Sequence, residues 1–273
     1  MHYENRPPQI RRSRSGRRLF TLFTGKDDLP VPRFFVEPGA LPGSFAVLTG
    51  ENAAHCRVLR LNRGDAVTLC DGQGTDYSCI ISDISPEQVC LVVQAAEPSR
   101  AEAAVQAELF VAFSKSDKLE HVIQKGTELG AVRISAFPCR RCVSRPDSRA
   151  LAGRLTRWQK IAEAAAKQSG RGRIPQIRAL DSYSAALAAA AGADMRIFFY
   201  ENARSTTFRE ALSSASFSTV SLMTGPEGGF APEEVTEAEA AGLQICSLGS
   251  RILRCETAPL CALSALLYHC GEL

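Results

Sequence analysis

From Pro32 onward the apolar residues fall into short runs whose spacing separates strands from helices. Phe45-Ala46-Val47-Leu48, Ala66–Cys70, Tyr77–Ile81 and Gln88–Val93 read as strands, being short, rich in β-branched or aromatic residues and bounded by turn formers. Asp71-Gly72-Gln73-Gly74 is a hairpin signal between the second and third of them. Glu51–Leu61 reads as a helix with apolar positions at Ala54, Val58 and Leu61. Residues 33–97 therefore predict a small β-rich barrel, and Pro98–Ala104 reads as a linker. The period then lengthens. Ala107–Phe113 predicts a strand and Asp117–Leu129 a helix, with Leu119, Val122, Ile123 and Leu129 as its buried stripe. Asp117 is its expected N-cap, with Glu120 three residues on. Val132–Phe137 is the next strand, and Ser148–Gln168 a long helix with Leu151, Leu155, Trp158, Ala162 and Ala165 on one face. Ser182–Ala191 and Thr206–Ser214 predict helices, Met195–Tyr200 and Thr219–Met223 strands. A last helix, Glu256–Cys270, has Leu260, Leu263 and Leu267 in one stripe but Ala258, Ala262, Ala265 and Leu266 elsewhere. A helix apolar nearly all round is expected to be buried on more than one side. Strands alternating with helices from 107 to 270 predict an open α/β domain with a parallel sheet.

Composition sets bounds on this picture. A chain of 273 residues is long enough for about two domains. No run approaches the roughly 18–20 apolar residues of a membrane span, and the basic N-terminus lacks a following apolar stretch of signal-peptide length. A cytoplasmic protein without a membrane partner is expected. The ten cysteines are scattered, several inside apolar runs such as Thr68-Leu69-Cys70, where cysteine acts as a small hydrophobe. Cys139-Arg140-Arg141-Cys142 has zinc-like spacing, but no second pair or nearby histidine completes four ligands. No metal and reduced thiols are expected.

The net charge of +3 conceals a strongly uneven distribution: residues 133–178 carry twelve Lys/Arg against two acids. Such a block points to a polyanion partner. Lys115 and Lys118, at a strand-to-helix junction, and Arg140, Arg141, Arg171 and Arg173, in loops of the basic block, are the candidate phosphate contacts. Residues 1–32 contain Arg11-Arg12-Ser13-Arg14-Ser15-Gly16-Arg17-Arg18, either a disordered extension or a basic arm on RNA.

Two glycine loops carry the candidate chemistry. Gly225-Pro226-Glu227-Gly228-Gly229 follows the apolar run Ser221-Leu222-Met223, and Pro232 with Glu233 and Glu234 suits a helix start after it. Leu248-Gly249-Ser250-Arg251-Ile252-Leu253-Arg254 follows Leu243–Cys246. Taken alone, the first loop is equally a tight turn or a ligand cradle. GxGxxG, P-loop, GxSxG and HExxH motifs are absent, and the four histidines are too dispersed for a histidine-centred triad.

The pair of loops, GPEGGF at 225–230 and LGSRILRCETA at 248–258, resembles the SPOUT methyltransferases, and within them the bacterial family that methylates N3 of a uridine in 16S ribosomal RNA. DKLEHVIQKGTELGA at 117–131, RWQKI at 157–161 and AEAAAKQSGRGRIP at 162–175 are also similar to that family. The resemblance implies a PUA-like RNA-binding barrel at 33–97 and a SPOUT-type α/β domain at 105–273 with a C-terminal trefoil knot, working as a homodimer. It implies S-adenosyl-L-methionine as cofactor, held by Met223, Gly225, Pro226, Glu227, Gly228, Gly229, Leu248, Gly249, Ile252 and Leu253. The loop after Met195–Tyr200 is a third candidate wall. The implied partner is 16S rRNA or the assembled small ribosomal subunit. The uracil N3–H is weakly acidic, so a base or a cation for the forming anion is needed. Arg254 is the candidate cation and Glu256 a candidate base, although a carboxylate there also suits a helix N-terminus. Another RNA target, or a non-catalytic ribosome-assembly role, fits the same residues.

Overall fold

The computed structural model describes residues 31–37, 43–203, 206–214 and 216–273, apart from the side chains of Ser116 and Ser148. The arginine-rich stretch Arg11–Arg18 lies outside the described residues.

Five strands, β1 (Arg33–Phe35), β2 (Phe45–Thr49), β3 (Ala66–Cys70), β4 (Thr75–Ile84) and β5 (Gln88–Pro98), form one sheet in the order β1-β3-β4-β5-β2. Alternation along β2 turns Ala46 and Leu48 inward, where they meet Phe34, Val67, Leu69, Ile81 and Leu91 in a small core. β4 and β5 are longer than their apolar runs because pairing continues through Thr75 opposite Pro98, and register shifts at Ser78/Cys79 and Ile81/Asp83 bend the ribbon. The expected linker therefore begins only after Pro98. The helix α1 (Gly50–Val58) buries Ala53 and Cys56 rather than Ala54 and Val58. It ends at Val58, so that side chain lies 77% exposed beyond the sheet.

The second sheet has six strands, all parallel: β6 (Gln106–Ala112), β7 (Arg133–Phe137), β8 (Gln176–Ala179), β9 (Met195–Phe199), β10 (Thr219–Thr224) and β11 (Gln244–Cys246), in the order β11-β9-β10-β6-β7-β8. Its central strands are apolar on both faces, as β6 shows with Leu109, Phe110, Val111 and Ala112 all at most 1% exposed. Helices α2 (Ser116–Leu129), α3 (Ser148–Ser169) and α7 (Ala258–Cys270) contribute Leu119, Trp158 and Leu263 to one core layer. Helices α4 (Tyr183–Ala190) and α6 (Pro232–Ala240) contribute Leu187 and Ala238 to the other, around Phe110, Phe137, Phe198 and Phe230. The short helix α5 (Phe208–Leu212) packs against the first layer through Phe208 and Ala211.

Three details depart from the reading of the chain alone. Helix α2 starts one residue earlier than expected, so Asp117 lies in its first turn and Lys115 occupies the N-cap position without a side-chain cap. The edge strand β8 carries too little apolar signal to be read, its Arg178 being tied to Glu108 at 2.8 Å and to Ser135 at 2.6 Å. Helix α7 starts at Ala258, with Pro259 in its first turn, and buries Ala262, Leu263, Leu266 and Leu267 on one side only. Cys261, Ala265 and Tyr268 face outward in the single chain. Among the described residues no helix is long and apolar enough to cross a membrane.

Candidate active site

Because every strand of the second sheet runs the same way, their carboxyl ends share one edge, where loops in α/β folds most often bind ligands. A cavity of about 440 Å³ opens there. Its walls are the end of β9 with Tyr200 and Glu201, the loop Gly225–Gly229 after β10, the loop after β11 from Leu248 to Cys255, and Lys118 from α2. Gly225, Pro226, Glu227, Gly228, Gly229, Leu248, Gly249, Ile252, Leu253 and Arg254 thus come together in one pocket. Met223 does not line it: it points into the core between sheet and helices and is fully buried. Phe199, Tyr200, Glu201 and Arg251 also line it.

The glycines are required by geometry. Gly229 sits at φ +66°, in the left-handed region, and a Cβ there would lie 2.7 Å from Glu201 Oε1. Its N–H donates to Pro226 O at 3.0 Å, closing the turn that swings the chain into α6. Gly249 has φ +100° with open space around it, so only its backbone conformation demands glycine. Leu248 packs against the first core layer, whereas Ile252 is 84% exposed at the rim.

Electrostatics join the two loops through α2. Lys118 Nζ lies 3.3 Å from Glu227 Oε1 on the first loop and 3.5 Å from Glu256 Oε2 beyond the second. Glu227 also accepts from the Lys115 N–H at 3.3 Å. Cys255 Sγ donates to Glu256 Oε2 at 3.2 Å and lies 3.8 Å from Lys118 Nζ. Burial tends to raise both carboxyls, but backbone N–H groups and Lys118 outweigh it and hold Glu227 and Glu256 below the usual 4.5. Burial likewise works against the Lys118 charge and is outweighed by the Glu227 and Glu256 carboxylates, which raise its pKa. Burial and Glu256 push the Cys255 thiol up to about 12, so it stays protonated. Glu256 is accordingly an ionised, paired carboxylate outside the lining, and a carboxyl held low is a poor proton acceptor. Arg254 lines the pocket and is exposed. Its carbonyl accepts from the Thr257 and Ala258 N–H groups at 2.9 Å, which seats it at the start of α7.

The basic block resolves into two populations. Arg171, an expected phosphate contact, is 2% exposed: it bonds Glu102 Oε2 at 2.6 Å and the Thr127 and Ala131 carbonyls at 3.0 and 2.8 Å. Its guanidinium is spent inside the protein. Arg173 is half-buried and bridges to Gly72 and Gln73 of the β3–β4 turn. Arg133 and Arg178 pair with Glu108, Arg157 with Glu120, and Arg140 with Glu233 and Glu237. Arg141 is exposed and donates to Gly228 O at 3.0 Å, next to the pocket. Arg149, Lys160 and Lys167 lie exposed on α3 with no ion pair among the described residues. Which cations of α3 are neutralised depends on contacts distant in sequence, as Arg157 with Glu120 shows. Among the described residues no group of His, Cys, Asp and Glu is arranged to hold a metal ion.

Residues 101–267 match the family profile of an RNA methyltransferase domain, and residues 48–94 that of an RNA methyltransferase PUA domain. The ribosomal RNA small subunit methyltransferase E of Bacillus subtilis is 36% identical over 229 residues, 81% of this chain and 89% of that protein. A crystal structure of the ribosomal RNA small subunit methyltransferase E of Neisseria gonorrhoeae bound to S-adenosyl methionine is 29% identical. It superposes with a TM-score of 0.75 over 88% of this chain and 98% of that one. A methyltransferase of Legionella pneumophila in complex with the same cofactor gives 28% identity and a TM-score of 0.73, over 88% and 98%.

Proposed function

Since the chain belongs to the RNA methyltransferase family that includes the ribosomal RNA small subunit methyltransferases E, we propose that it transfers a methyl group from S-adenosylmethionine to N3 of a uridine in 16S ribosomal RNA. The observation that carries this reading is the single pocket built from both glycine loops. Its volume suits a small ligand. Gly229 and Gly249 hold backbone where a side chain is disfavoured, and Leu248 and Leu253 supply apolar wall. S-adenosylmethionine bound there supplies an electrophilic methyl on a good leaving group. The protein's share of the work is then to hold, orient and exclude water.

Backbone groups of Gly225–Gly229 and Leu248–Leu253 hold the cofactor in this account. Arg254 faces the charge that develops on uracil as N3 gives up its proton to solvent water. The target base is unpaired or flipped out, because N3 lies on its Watson–Crick edge. Glu256 acts through Lys118: with Glu227 it fixes the ammonium that ties both loops to α2, so it is a positioning residue. The exposed cations of α3, together with Lys115 and Arg141, contact the RNA backbone. Residues 33–97 form the PUA-like module and 105–273 the SPOUT-type domain, whose C-terminal segment closes a trefoil knot. Two copies pair through the outward face of α7, where Tyr268 is 76% exposed. The work takes place in the cytoplasm, on 16S rRNA or the assembled small subunit.

The test is transfer of labelled methyl from S-adenosylmethionine to 30S subunits lacking the modification, to free 16S rRNA and to tRNA, with calorimetry of cofactor binding alongside. Saturable binding with label in 16S rRNA is expected. Label confined to tRNA, or no cofactor binding, overturns the proposal.

A further inference from the structure

Cys139 and Cys142 are not used by the chemistry above, yet they are built as a pair. They stand on the turn after β7, closed by the Cys142 N–H donating to Cys139 O at 3.2 Å. Their sulfurs are 3.3 Å apart, and the Cys139 N–H donates to Cys142 Sγ at 3.3 Å. Cys139 is 3% exposed in the core, whereas Cys142 is only partly buried. Arg145 reaches back to the Cys139 and Arg140 carbonyls, placing a cation beside the turn. Of the two residues between the thiols, Arg141 touches the candidate active site and Arg140 the helix that follows its first loop. Arg141 Nη1 donates to Gly228 O at 3.0 Å, and the Arg140 N–H donates to Glu234 Oε1 at 2.7 Å at the start of α6.

We propose that Cys139 and Cys142 form a thiol–disulfide exchange site for low-molecular-weight disulfides, and that Arg141 transmits its redox state to the Gly225–Gly229 loop. The second half rests on the reading of that loop as the S-adenosylmethionine site. Cys142 is the attacking sulfur. The hydrogen bond from the Cys139 thiol, with the Cys139 N–H and Arg145, outweighs burial and lowers its pKa. Hydrogen bonding to Cys142 and burial raise the Cys139 thiol. Such an asymmetric pair marks reactive Cys-x-x-Cys sites. In the first step the Cys142 thiolate attacks one sulfur of oxidised glutathione, forming a mixed disulfide and expelling one glutathione thiolate. In the second, Cys139 gives up its proton and attacks Cys142 Sγ, expelling the second thiolate. Both cysteines are oxidised, one glutathione disulfide is reduced to two thiols, and the thiol protons pass to the products. Drawing the sulfurs to the ~2.05 Å of a disulfide tightens the turn that carries Arg141 and removes its support from Gly228.

The experiment equilibrates the full chain in graded ratios of oxidised to reduced glutathione. Free thiols are then mapped by alkylation and mass spectrometry, and S-adenosylmethionine affinity is measured by calorimetry at each ratio. Cys139 and Cys142 are expected to lose alkylation together while the buried Cys56, Cys70 and Cys79 keep it after unfolding. Kd is expected to rise about tenfold, the effect of losing one charge-assisted hydrogen bond of ~1.4 kcal/mol, and dithiothreitol should restore it. Cys139→Ser/Cys142→Ser should bind like the reduced protein and ignore glutathione. If serine at buried Cys139 prevents folding, Cys142→Ala serves in its place. Cysteines that stay alkylatable under oxidising glutathione, or a disulfide that leaves Kd unchanged, overturn the proposal. Failure of the reduced protein to bind S-adenosylmethionine fails the pocket reading instead, since mapping alone scores the disulfide.

Discussion

Replacing Arg171 with methionine separates the two roles that an arginine in this loop could have. The substitution keeps most of the unbranched stem and removes the guanidinium. Arg171 is 2% exposed, and its partner Glu102 has a side chain 14% exposed, so water screens little of the pair. The loss would leave the Thr127 and Ala131 carbonyls without their guanidinium donor and Glu102 with only the Gly172 and Arg173 N–H groups. Breaking a buried pair by removing one partner costs roughly 3–5 kcal/mol. With a urea slope of ~2 kcal/mol/M that moves the unfolding midpoint down by ~1.5–2.5 M. The only tryptophan, Trp158, is 1% exposed in the core of the second sheet and reports this transition by fluorescence. Below the transition, the folded variant should bind rRNA as the unaltered protein does. A loss under ~1 kcal/mol, the range of an exposed pair, together with weaker RNA binding, would refute the assignment and return Arg171 to the RNA.

Gly229→Ala forces a left-handed backbone on a residue with a Cβ, costing ~1–2 kcal/mol, and should raise the S-adenosylmethionine Kd by up to about tenfold in calorimetry. Arg254→Ala should lower kcat by ~10²-fold or more, as loss of one preorganised charge-stabilising donor does, with a smaller change in KM for S-adenosylmethionine. Glu227 and Glu256 both titrate below 4.5. The stability they contribute is therefore whole above that pH and is lost as pH falls through their folded values. In Lys118→Met this acid-side loss should be shallower, as thermal melting between pH 3 and 6 will show. Neutralising Arg149, Lys160 and Lys167 together should flatten the salt dependence of rRNA binding by a log–log slope of ~2–3, measured by titration at several salt concentrations.

What the chain made legible and what it hid divide by the range of the interactions. The glycine loops were readable because backbone conformation is a local demand: Gly229 and Gly249 need glycine whatever lies across the pocket. The central strands were readable because burial on both faces leaves unbroken apolar runs, as in β6. Strand β8 was not, since Gln176 and Arg178 carry no apolar signal and Arg178 is recruited to the sheet by Glu108. Charge was the least legible quantity. Arg171 looked like a free loop cation because its partner, Glu102, is 69 residues away along the chain. Lys118 looked like a phosphate contact because Glu227 and Glu256 reach it only once both loops are folded. Glu256 looked available as a base for the same reason.

Small subunits lacking the modification are incubated with the protein and S-adenosylmethionine, and their 16S rRNA is digested to nucleosides and separated by mass spectrometry. The expected product is 3-methyluridine, absent from the reaction without protein and strongly reduced with Arg254→Ala. Methylation of a ribose hydroxyl or of another base, or no methylated nucleoside at all, would contradict it.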